Sequence, residues 1–165
     1  MQEASPRTKQ LAASVLATKL DRLYNRIDRI YHRMAQPSGV SDCAYWLMYA
    51  LAESGRPLAQ RALIEKWSYS KQTVNSALGA LEAKGLVRME FEEGSRRNKV
   101  AALTQAGAEF AARHVEPMMA IEEKAFDALD ERERSQLVDL LSRYADALEG
   151  EAERLLAARG KEVGA

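Results

Sequence analysis

The stretch SKQTVNSALGALEAKGLVRMEF, residues Ser70 to Phe91, changes its hydrophobic period halfway along and so decides the class of fold. In its first half Val74, Ala77, Leu78 and Leu81 recur at three- and four-residue spacings, the mark of a helix with one buried face. Ser70 has a side chain suited to cap that helix, and Lys84-Gly85 are suited to end it. Beyond Gly85 the period falls to two. Val87, Met89 and Phe91 alternate with Arg88, Glu90 and Glu92, as a half-buried strand requires.

Working toward the amino terminus, Ser38-Gly39 opens a helix from about Ser41 to Ser54, and Gly55 is placed to stop it in a left-handed cap. Pro57 reads as the first position of a short helix that starts at Leu58 and runs to about Trp67, with Ser68-Tyr69 as a tight connection. Two short helices so joined form a helix-turn-helix. Toward the carboxyl end, Glu93-Gly94-Ser95 reads as a turn and Lys99 to Leu103 as a returning strand. Thr104 then caps a long helix bent or broken near Pro117. The expected class is mainly α with a small β-hairpin wing.

Two further segments call for partner helices. Leu16, Leu20, Leu23, Ile27, Ile30 and Met34 alternate steps of four and three, and so do Leu137, Leu141, Tyr144 and Leu148. Asp130 and Glu133 form a capping box ahead of the second seam. We therefore expect one domain over 1–165, with a helical dimerisation region at 7–36 and 108–158 and a winged head at 38–107.

The 24 basic and 24 acidic residues leave no net charge, so nothing global advertises an anionic partner. The balance is uneven along the chain: positions 56–99 hold nine basic and five acidic side chains, and 100–165 hold eight and fourteen. A local basic surface is enough, because exposed charges act over roughly 10 Å at moderate salt.

On the Ser70–Lys84 helix, the side opposite the apolar face carries Gln72, Ser76, Gly79 and Ala83, flanked by Thr73 and Asn75. Such a slim polar face suits a major groove. Gln72 or Asn75 can pair with adenine, while Ser70, Lys71, Thr73 and Ser76 suit phosphates and base edges. At the hairpin tip, Arg96, Arg97 and Lys99 would reach the flanking backbone or minor groove. Each feature alone has a plainer reading as solvated surface; their combination points to duplex DNA.

The runs Pro57-Leu58-Ala59-Gln60-Arg61-Ala62-Leu63, Ser70-Lys71-Gln72-Thr73-Val74, Leu81-Glu82-Ala83-Lys84-Gly85-Leu86-Val87 and Leu103-Thr104-Gln105-Ala106-Gly107 resemble the MarR family of bacterial regulators. The resemblance covers roughly residues 15 to 150. It implies a winged helix-turn-helix homodimer with interlocking N- and C-terminal helices, bound to a pseudo-palindromic operator as a repressor. A small aromatic or apolar ligand would release it. The alternative is a winged-helix protein-interaction or ligand-binding module without operator binding.

Where relatives frequently carry Arg, Asp and Arg in the recognition helix, this chain has Ser76, Gly79 and Ala80, and Ser95 stands where an Asp often precedes the wing arginines. Those departures imply an operator that leans to A·T or is read by shape. The resemblance also implies a ligand pocket, for which Tyr31, His32, Tyr45, Trp46 and Tyr49 are the candidates; packing in the core is the competing role.

The single cysteine, Cys43, rules out an internal disulfide framework, and as a redox sensor it sits on a different helix from the sensing cysteine of some relatives. His32 and His114 lack zinc-ligand spacing. We expect no metal, no cofactor and no catalysis, since no nucleophile–base pair or phosphate-cradling glycine loop appears. The longest apolar run, Cys43 to Ala52, is too short to span a bilayer, so a cytoplasmic protein without a membrane partner is expected.

Overall fold

The structure, a computed structural model, describes residues 6–67, 69–92 and 98–163. Two compact units are present, Met1–Met119 and Ala120–Ala165. The elements run α1 (Pro6–Ala35), α2 (Asp42–Ser54), β1 (Leu58–Ala59), α3 (Gln60–Trp67), α4 (Lys71–Ala83), β2 (Val87–Phe91), β3 (Lys99–Leu103), α5 (Gln105–His114), α6 (Glu116–Asp127) and α7 (Glu131–Val163). A single turn of 3-10 helix, Gln36–Ser38, links α1 to α2.

The caps read from the sequence are made. Gly55 ends α2 at φ 60°, while Ser41, expected as that helix's first residue, is its N-cap and accepts from the Ala44 amide. Ser70 Oγ accepts from Thr73 N at 3.1 Å at the head of α4, and Gly85 leaves it at φ 70°. Asp130 and Glu133 exchange side-chain-to-backbone bonds of 2.9 and 2.8 Å, the reciprocal box that opens α7.

One boundary differs from expectation. Leu58 and Ala59 do not begin a helix; they form β1, antiparallel to β3, with Leu58 opposite Ala101 and Ala59 opposite Val100. Pairing with residues some forty positions away outweighs the local preference for Pro57 as a helix start, and α3 is delayed to Gln60. The three-stranded antiparallel sheet has the order β1-β3-β2. The long helix expected after Thr104 is two helices, separated at Val115, with Pro117 in the first turn of α6 where its missing N–H is harmless.

In the first unit Tyr45, Leu47, Met48 and Leu51 of α2 pack with Leu63 of α3, Val74, Leu78 and Leu81 of α4, Val87 of β2 and Val115. All are at most 2% exposed. The apolar face predicted for α4 is therefore the face that is buried. By contrast, α1 presents Leu16, Leu23, Ile27 and Ile30 to solvent, and α7, by itself, presents Leu137, Val138, Leu140 and Leu148. Each of these long helices carries an uncovered apolar stripe.

The junction between α4, the sheet and α5 is built around the backbone carbonyl of Leu86. Thr104 N donates to it at 3.1 Å, and Thr104 Oγ1 donates to the Gly85 carbonyl at 2.6 Å while accepting from Gly107 N at 2.9 Å. A β-carbon on Gly107 would stand 1.9 Å from Leu86 O, so only glycine fits. Gly79, on α4, has nothing within 4 Å of that position.

Gly107→Ala is accordingly expected to lower unfolding free energy by about 1–3 kcal/mol, the usual range for overpacking against atoms that cannot yield. Gly79→Ala should leave stability unchanged or raise it by up to about 1 kcal/mol through helix propensity. Urea denaturation of the two variants measures both; equal midpoints would contradict the close approach at Gly107.

Candidate nucleic-acid interface

With Val74, Ala77, Leu78 and Leu81 committed to the core, helical geometry leaves Lys71, Gln72, Thr73, Asn75, Ser76, Gly79 and Ala80 exposed. The face is narrow beyond its first turn, since past Lys71, Gln72 and Thr73 its exposed residues up to Ala80 are Asn75, Ser76, Gly79 and Ala80. Ser70 is doubly engaged: its hydroxyl caps the Thr73 amide and lies 2.7 Å from Thr73 Oγ1. Both residues thus hold the first turn of α4 in shape, a role their sequence positions shared with anion contact.

Asn75 is not free-standing. Gln60 Nε2 of α3 donates to Asn75 Oδ1 across the helix-turn-helix, so the carboxamide is oriented before any partner arrives. Gln60 was not among the sequence candidates. The pairing joins residues fifteen positions apart on different helices, and no local pattern announces it.

Beside α4, a cleft of about 440 Å³ is lined by Gln60, Arg61, Ile64, Lys71, Glu92 and Lys99. Three cations therefore edge one groove between α3, the first turn of α4 and the base of the wing. Arg61 pairs with Glu65 at 2.7 Å on the same helix; that hydrogen bond and charge hold its guanidinium firmly protonated. Lys99 Nζ lies 5.9 Å from the Phe91 ring, which places it on the strand pair and not at the tip. The stem of the hairpin is closed by Glu92 N donating to Asn98 O at 2.9 Å and Asn98 Nδ2 donating to Glu92 Oε2 at 3.0 Å. Arg96 and Arg97, with the Glu93-Gly94-Ser95 turn, lie outside the described residues, as does Ser68.

The ligand candidates are brought together. Trp46 is the hub, with ring centroids 5.0 Å from Tyr31, 5.8 Å from Tyr45, 5.4 Å from Tyr49 and 4.6 Å from Trp67. Tyr45 is fully buried and its hydroxyl donates to the His114 carbonyl at 3.0 Å, so it serves the core. His32 stands at the edge, its Nδ1 3.1 Å from Asp42 Oδ2. Trp67, absent from the sequence candidates, completes the cluster and holds a buried indole N–H without a hydrogen-bond partner among the described residues.

Cys43 lies in the first turn of α2, 7% exposed, and burial pushes its thiol above the ordinary range. Burial, reinforced by Cys43, Asp42 and Asp28, does the same to the Tyr69 phenol. Among the described residues no group of three His, Cys, Asp or Glu side chains is gathered as a metal would need, and no helix is long and apolar enough to cross a membrane.

Residues 38–98 match the model of the MarR family. The chain is 25% identical over 128 residues to the HTH-type transcriptional repressor NicR of Pseudomonas putida, covering 78% of this chain and 80% of that protein. Among solved structures, NMB1585, a MarR family regulator from Neisseria meningitidis, superposes with a TM-score of 0.66 at 27% identity, over 82% of this chain and 97% of that one. NadR, solved in complex with 4-hydroxyphenylacetate, shares the fold with a TM-score of 0.65 at 19% identity, over 88% of this chain and 95% of that one.

Raised by burial, the Cys43 thiol releases its proton at higher pH in the folded chain than in the unfolded one, so less of the nucleophilic thiolate is present at any pH below that point. Iodoacetamide should therefore label Cys43 more slowly in the native protein than in guanidinium at the same pH, as followed by mass spectrometry. Faster native labelling would mark an activated thiol.

Proposed function

We propose that this chain is a MarR-type winged helix-turn-helix transcriptional regulator, a repressor that binds a pseudo-palindromic operator as a homodimer and is released by a small aromatic or apolar ligand. The observation that carries this reading is the slim exposed face of α4 flanked by Arg61, Lys71 and Lys99. A helix with small side chains at Ser76, Gly79 and Ala80 can seat deeply in a major groove, while the three cations face phosphates.

In this reading Gln72 is the principal reader of a base edge. Asn75, its Oδ1 already accepting from Gln60, acts as a pre-oriented donor toward base acceptors. Ser70, Thr73 and Ser76 line the phosphate side of α4, and Arg96 and Arg97 grip the flanking DNA from the wing tip. The role is regulatory and not catalytic.

The uncovered stripes of α1 and α7 support the homodimer, since contiguous apolar surface on a soluble chain calls for a partner. The cluster around Trp46 supports an aromatic effector, with the indole N–H of Trp67 offering a donor to it. NadR in its complex with 4-hydroxyphenylacetate gives the chemical precedent.

Fluorescence anisotropy with the protein's own promoter DNA tests the DNA reading. Affinity should fall steeply with salt, and Lys71→Ala or Lys99→Ala should each reduce the slope of log K against log salt by about 0.9. Gln72→Ala should instead relax preference between bases by about 1–3 kcal/mol. Binding that ignores salt, or uniform loss across sequences from Gln72→Ala, would contradict the assigned roles.

A second expectation concerns assembly. Leu23→Glu together with Ile27→Glu puts charge into the α1 stripe and should convert a dimer to a monomer in analytical ultracentrifugation, with loss of operator affinity. A wild-type monomer would remove the symmetric-operator reading.

A further inference from the structure

We propose that a second small-molecule site lies on the sheet side of α2, away from the aromatic cluster, and takes a small apolar carboxylate that also bears a hydrogen-bond donor. The proposal rests on the reading of the chain as a ligand-responsive regulator and gives that response a second address.

The site is a cavity of about 340 Å³ between the end of α2, β2, β3 and α5. Its floor is made of alanines from three elements: Ala52 of α2, Ala102 of β3, and Ala108 and Ala111 of α5. The short alanine methyls leave the space between α2, β3 and α5 unfilled. The volume is at the small end of the range of ligand pockets, roughly 300 Å³ upward, which fits a single ring with short substituents. In the aromatic cluster, by contrast, the rings already stand in mutual contact, with centroids as close as 4.6 Å.

Charge at the rim decides the class of ligand. Arg88, on β2, donates from Nη1 to the Leu103 carbonyl at 3.0 Å and from Nε to Glu90. Those two bonds fix the guanidinium and leave its remaining N–H groups unspent, so ordering it upon binding costs little. Arg56 follows the left-handed cap at Gly55 and has no ion pair among the described residues. Two guanidinium groups beside an apolar floor favour a carboxylate, which accepts in a planar, bidentate manner.

Glu116, at the start of α6, lines the same cavity and likewise has no ion pair among the described residues. It is an acceptor placed where a second anion would be repelled. A ligand with its carboxylate at the arginines therefore needs a hydroxyl or amine at its other end. Such a molecule would tie Arg56, in the turn that enters the helix-turn-helix, to Arg88, on the strand that carries the wing. Both DNA-facing elements would then feel the ligand.

The test uses the full chain and 4-hydroxybenzoate as the probe, titrated by isothermal calorimetry against 4-hydroxybenzamide, which keeps the ring and the donor but lacks the charge. The acid should bind at least about tenfold more tightly than the amide, and Arg56→Gln should remove most of that preference. Ala108→Leu, at an exposed position that lines the cavity, should fill the space and abolish binding while leaving helical content and operator affinity as in the wild type. No preference for the acid, or unchanged binding in both Arg56→Gln and Ala108→Leu, overturns the site. Operator binding is a separate titration, so its failure would overturn the regulator reading and leave the calorimetric result standing.

Discussion

The arrangement of the winged head depends on one backbone carbonyl, that of Leu86. It accepts from Thr104 N at 3.1 Å, and the next helix crosses it so closely that Gly107 has no room for a β-carbon. Immediately beyond this point Val87 pairs with Leu103 and Arg88 with Ala102, so the register of the wing is set where α4 ends. Since Thr104 Oγ1 also binds the Gly85 carbonyl, the exit of α4, the base of the hairpin and the head of α5 form one hydrogen-bonded knot. That knot ties the end of α4 to the start of the hairpin and to the head of α5.

Features governed by neighbours in sequence were legible before any coordinates. Ser70 and Thr104 cap the helices they precede, Gly55 and Gly85 leave theirs with positive φ, and Asp130 with Glu133 closes a box, because each needs only three or four residues to specify it. The failures are non-local. Leu58 reads as helix in its own context and becomes strand through Ala101, and nothing local to Asn75 announces its bond from Gln60. Trp67 escaped the aromatic set because its partners Trp46 and Tyr49 lie on another helix some twenty positions earlier. Its spacing from them carries no period.

Charge follows the same division between local and distributed. A chain with no net charge still gathers Arg61, Lys71 and Lys99 around one cleft, because three different elements converge there. The compensating acids are concentrated after position 100, in elements that include α6 and α7. Screening over roughly 10 Å makes a local cluster sufficient in a chain without net charge, since a phosphate near the cleft would respond chiefly to the cations within reach.

The thinness of the α4 face and the Gln60–Asn75 bond act in the same direction. Small residues at Ser76, Gly79 and Ala80 remove long donors that would have to be ordered on binding, and they let the helix backbone approach its partner closely. A closely seated helix tolerates little motion in the side chains that remain. Asn75, tethered to α3, has surrendered its freedom within the folded protein, and Ser70 with Thr73 fixes the first turn in the same way. In the proposed operator complex, discrimination would rest on a few rigid polar groups and on how readily a groove accepts so slim a helix, a property of nucleic-acid shape as much as of base identity.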